Sequence, residues 1–140
     1  MLSVEELKKR IPIQEENLVS EVMRQPVLFD EAATHLKEAR EKADQAKNDM
    51  EKTLCEISLK IREKCNIENV KVTEKYIDSL VTTTPDYLKS VDTYFHWKSE
   101  ADDRFLLVEA YRMRASMLKA LVHLQQSISP NREFSPYTGE

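Results

Sequence analysis

From Pro26 to Cys65 about forty residues pass without an internal glycine or proline, and that run limits the chain more than any other feature. Read as one helix, it would be on the order of 60 Å long at ~1.5 Å per residue. A chain of 140 residues cannot wrap such a rod on all sides. Its apolar stripe therefore needs a second long helix, or other copies of itself, to cover it. From Ala32 and Leu36 through Ala39, Ala43 and Ala46 to Met50, Thr53 and Ile57, steps of four and three alternate as in a heptad seam. Small residues at many of these positions permit close helix–helix approach but bury little apolar area per turn, which predicts a part in self-assembly. Beyond Met50 the stripe drifts to Leu54, Ile57, Ile61 and Cys65, as a straight 3.6-period helix would.

The remaining segments read as helices too. The single glycine is Gly139, and the chain is 41% hydrophobic and 33% charged; sheets and barrels need turn glycines that are missing here, so the fold class is all-α. Ser3-Val4-Glu5-Glu6 has the form of a capping box and starts a short helix that should stop near Arg10, before Pro12. A second short segment, Gln14 to Arg24, should end at Pro26, which then serves as an early residue of the long helix over 26–65. Residues 66–84 form a connector with a short helix capped by Thr73 and broken by Thr82-Thr83-Thr84. Thr84-Pro85-Asp86 starts a second long helix over 85–128. Its expected buried side takes in Leu88, Val91, Tyr94 or Phe95, then the assembly candidates Phe105, Val108, Ala115, Leu118 and Val122, and Ile128. Residues 1–128 thus read as one elongated helical domain with coiled-coil-like packing, and 129–140 as a flexible tail.

No catalytic constellation is visible. His35, His96 and His123 lack metal-ligand spacing to one another or to the cysteines, and Glu100, Asp102 and Asp103 do not converge as a cage would. A phosphate loop needs glycines this chain does not have. Cys55 and Cys65, ten residues apart on one helix, would lie ~15 Å apart along its axis and cannot bridge. The sequence predicts a non-enzyme without cofactor or metal. With no signal-like or membrane-spanning run, it also predicts a cytoplasmic location and no membrane partner.

Charge is distributed more tellingly than its formal total of −4. Lys60, Arg62, Lys64, Lys71 and Lys75 outnumber the acids between positions 60 and 75. From Arg112 to Arg132 there are cations, Arg114 and Lys119 among them, and no acid. Either stretch can contact phosphates, and Tyr76 and Tyr111 stand beside them as candidates for base stacking. A solvated helix face is the plainer account of either cluster alone.

The order of these features resembles the UvsY-type recombination mediators of tailed phages, and the resemblance covers most of the chain. Its marks are Glu5 to Lys9 (Glu-Glu-Leu-Lys-Lys), a long charged helix ending in Leu59-Lys60-Ile61-Arg62, and a Thr73-Glu74 helix start. The last is Leu88-Lys89-Ser90-Val91-Asp92-Thr93 ahead of Trp97, with one inserted serine and the tryptophan shifted by one residue. The family motif continues after the arginine with leucine and aromatic residues, where this chain has Glu63-Lys64-Cys65. The resemblance implies a small homo-oligomer, ring-forming in the family, that binds single-stranded DNA. It implies as partners a RecA-like recombinase and the single-strand-binding protein that the mediator helps displace. If a phage encodes the chain, its location is the host cytoplasm. By the same resemblance Lys60 and Arg62 contact the strand, and the helix over 85–128 serves assembly. A helical adaptor or structural coiled coil without nucleic-acid binding fits the heptads and mixed charge as well, and predicts assembly without DNA affinity.

Overall fold

The structure is a computed structural model that describes residues 1–128; the tail expected over 129–140 lies outside the described residues. Among the described residues all regular structure is helical: α1 (Val4–Lys9), a 3-10 turn (Glu15–Asn17), α2 (Leu18–Ile67), α3 (Glu74–Thr82) and α4 (Pro85–Ile128). Local chemistry places most of the boundaries. The Ser3 hydroxyl accepts from the Glu6 amide and starts α1. Thr73 does the same for Tyr76 at the start of α3. The hydroxyls of Thr82, Thr83 and Thr84 donate to carbonyls four residues back, at Asp78, Ser79 and Leu80, and close α3.

Two boundaries differ from the sequence reading. The break expected at Pro26 is absent: α2 runs for 50 residues from Leu18 with Pro26 inside it. An interior proline forfeits one helix hydrogen bond and crowds the preceding turn, at a cost of about 3 kcal/mol. Two side chains in the residues just before the proline offset it. Glu21 and Gln25 are both bonded to Arg114 of α4, so the helix is held in line from outside. At the other end α2 stops at Ile67 because Asn69 takes a left-handed conformation, φ 54°. The Val70 amide then reaches the Cys65 carbonyl and the Asn69 amide that of Asn66, the paired bonds of a Schellman turn. In a segment with no glycine, asparagine is the residue that tolerates this geometry best.

The described residues divide into two compact units, residues 1–36 with 103–128, and Lys37–Asp102. In the first, α1 and the start of α2 pack on the later part of α4 around Leu7, Leu28, Ala32, Leu36, Leu107, Val108 and Tyr111. Full burial of Leu7, worth about 1.5–3 kcal/mol, pins the six-residue α1, which is too short to persist alone. Polar bonds fasten the same segment. The Leu2 amide donates to Glu31, the His35 ring Nε2–H donates to the Leu2 carbonyl at 2.7 Å, and the Tyr111 hydroxyl donates to the Leu7 carbonyl at 2.6 Å.

The second unit is built on the alanine seam of α2. Ala39 and Ala46 are buried, and Ala43, Met50, Thr53 and Ile57 are half-buried along the same line. Lys42 lies over the Trp97 ring of α4, 4.4 Å from its centre, and α3 is anchored by Ile77 and Val81. The buried side of α4 is not the expected one at several positions. Leu88, Phe105 and Ile128 are exposed, and of Tyr94 and Phe95 it is Tyr94 that is half-buried, whereas Ala101, Leu107, Tyr111 and Arg114 are covered.

Candidate nucleic-acid interface and assembly face

Three segments of the second unit carry the five basic candidates: the last turns of α2, the connector, and the first turn of α3. Lys60 and Lys64 are one turn apart and share a face of α2, near a helix end whose carbonyl dipoles favour cations. Lys71 lies in the connector and Lys75 in the first turn of α3, and all of these side chains are exposed. Tyr76, beside Lys75, is 51% exposed, so its ring is accessible to a base. Arg62, two residues from Lys60 and so about 200° round the helix, points elsewhere. Its Nη2 donates to Glu74 Oε2 at 2.5 Å, joining the end of α2 to the start of α3. This bond, and then the charge behind it, holds the Glu74 carboxyl below its usual range and raises the Arg62 guanidinium.

The second basic stretch does not survive as a surface. Arg114 is 2% exposed and fully engaged: Nε donates to the Ile11 carbonyl at 3.0 Å, Nη1 to Gln25 Oε1 at 2.7 Å and Nη2 to Glu21 Oε2 at 2.6 Å. Gln25 in turn donates to the Tyr111 carbonyl at 2.7 Å. Tyr111 itself is buried, so neither it nor Arg114 is available to a strand. Arg112 pairs with Glu109 at 3.4 Å. Lys119 is exposed, and Arg132 lies outside the described residues. The signal for Arg114 was present in the sequence: it lies three residues beyond Tyr111 and four before Leu118, on the same helical face.

Of the assembly candidates, Val108 and Leu118 are covered by the chain's own helices, Val122 is half-buried, and Phe105 and Ala115 are exposed. A different line on α4 is open over most of its length, with Ala110 half-buried. Leu106, Met113, Met117 and Leu124 are 65%, 68%, 58% and 54% exposed, with Ala110 and Ala120 between them. The steps from 106 through 110, 113, 117 and 120 to 124 alternate four and three, a heptad seam. It stands two residues from the core line through Val108, Tyr111, Leu118 and Val122, hence ~200° round the helix. The later half of α4 is thus apolar on opposite sides, and this second line was readable from its spacing. On α2 of the same unit Val19, Met23 and Val27 are also exposed at four-residue steps.

Among the described residues no group of three or more His, Cys, Asp or Glu is placed to hold a metal ion, and no helix is long and apolar enough to cross a membrane. Comparison with protein-family models, with curated proteins and with solved structures gave no match.

Proposed function

We propose that the protein is a recombination mediator of the UvsY type. In this reading it is a homo-oligomer that binds single-stranded DNA and helps load a RecA-like recombinase onto DNA covered by single-strand-binding protein. The observation that carries this reading is the exposed group Lys60, Lys64, Lys71 and Lys75 with Tyr76 beside it, at the segment where the Leu59–Arg62 and Thr73–Glu74 resemblances fall. Lysines held near a repeating backbone charge supply sequence-independent affinity, and an exposed ring adds stacking on any base. The seam from Leu106 to Leu124 supplies the assembly contact, in place of the buried Val108 and Leu118. Repetition of a small basic patch in a ring turns weak contacts into useful affinity, which is how an acidic chain holds a polyanion. No nucleotide hydrolysis enters: the strand passes from one protein to the next by competing equilibria.

Replacing Lys60 and Lys64 together with alanine tests the site. Affinity should fall for every sequence alike, and the log–log salt dependence should flatten by about 1.4, the share of two phosphate contacts on a single strand. An unchanged slope would remove both lysines from the interface. The helical adaptor is favoured by one observation of its own, the second apolar line on α4, and it predicts an assembled protein with no affinity for DNA.

A further inference from the structure

The position at Arg62 where a phosphate would sit is already filled by a carboxylate. Within ion-pair distance of the five basic candidates, the described residues place an acid at Arg62 alone, and that acid is Glu74. Its delivery is built into the fold. Ile77 and Val81 bury α3, the Thr73 cap fixes its first turn, and the Asn69 turn sets the connector that brings it to α2. Glu74 is the first residue of that helix, where the dipole favours a charged carboxylate. Asp78, one turn on, adds to the negative field that Arg62 feels. Carboxylate and phosphate oxygens use the same arginine donors with the same geometry. Yet the Arg62 side chain is 45% and the Glu74 side chain 70% exposed, so the pair is solvated and open to exchange with another anion.

We propose that Glu74 is a built-in competitor of nucleic-acid phosphate for Arg62, so that a strand gains this cation only by displacing the carboxylate. The inference rests on the single-strand reading above. The four lysines provide standing attraction, while Arg62 is withheld until a phosphate replaces Glu74. The consequence is restrained affinity per subunit, which suits a protein that must give the strand up.

Labelled single-stranded oligonucleotide titrated over a series of salt concentrations tests this with the full chain, E74Q, and E51Q as a control. E51Q removes the same charge from an exposed position on α2. E74Q should bind on the order of three-fold tighter at low salt, with a slope steeper by about 0.7, and E51Q should show neither change in full. Arg62→Ala should cost more affinity in the E74Q background than in the unaltered chain. Equal behaviour of E74Q and E51Q, in a chain that binds, overturns the competitor and leaves the strand reading standing. Weaker binding by E74Q also overturns it, and would make the pair a support for the site. Absence of binding by every variant overturns both this inference and the reading beneath it.

Discussion

Arg114 and Tyr111 decide how the first unit is tied together, and each yields a measurable consequence. A buried arginine satisfied by Glu21, Gln25 and a main-chain carbonyl is costly to disturb on one side only, because the remaining charge is left without a partner. Arg114→Ala should lose about 3–5 kcal/mol in urea unfolding. Arg114→Lys should recover little of it, since an ammonium cannot reproduce three donors in a planar fork. Tyr111→Phe removes the bond to the Leu7 carbonyl and should cost about 1–3 kcal/mol. Burial pushes the Tyr111 phenol above the ordinary tyrosine range, against the pull of Arg114 and Arg10. Its contribution is therefore complete below about pH 10, where both folded and unfolded chains keep the proton. Above that the unfolded chain ionises first, and stability falls until the folded phenol ionises too. The unaltered protein should lose stability more steeply than Tyr111→Phe as pH rises past about 10, in urea melts at stepped pH. Equal slopes would show that the phenol does not couple to folding.

At the scale of elements, the sequence was read well where one residue type forces one geometry. Ser3, Thr73 and the threonine run act through their own hydroxyls, and the alanine seam faces inward because its spacing leaves no other side for it. The reading failed where a distant residue overrules a local one. Pro26 looks like a boundary until Arg114, far away in sequence, is seen to hold Glu21 and Gln25 across the turn. The phase of α4 holds at Val91, Val108, Leu118 and Val122 but not at Leu88, Phe105 and Ile128, because the segment has apolar residues on two sides and pattern alone does not say which side folding covers. The basic cluster near Lys60 was visible as composition, but the pairing of Arg62 with Glu74 requires the connector's path, which depends on the left-handed Asn69. Two substitutions check this account of the elements. Pro26→Ala should raise thermal stability by up to about 3 kcal/mol, because the restored amide finds the Val22 carbonyl within the helix. Asn69→Ala should lower stability by roughly 1 kcal/mol while Asn69→Gly does not, the difference expected of a left-handed position. A gain of nothing from the first, or equal effects from the second pair, would contradict it.

For the whole molecule, the two sides of α4 make opposite predictions. Leu118→Ala should destabilise the fold by about 2–5 kcal/mol, as a core truncation does. Met113→Glu with Met117→Glu should leave unfolding nearly unchanged while shifting sedimentation toward smaller species, because those side chains are exposed in a single copy. In the proposed mediator reading, assembly matters because a few lysines per subunit become an effective surface only when repeated. The most direct test of the mediator reading is the anisotropy of a labelled single-stranded oligonucleotide as the assembled protein is added, across a range of salt, with a duplex of the same sequence alongside. The reading predicts binding that prefers the single strand and weakens steeply with salt. No binding at low salt, by protein shown to be folded and assembled, would contradict it and leave the helical adaptor as the better description.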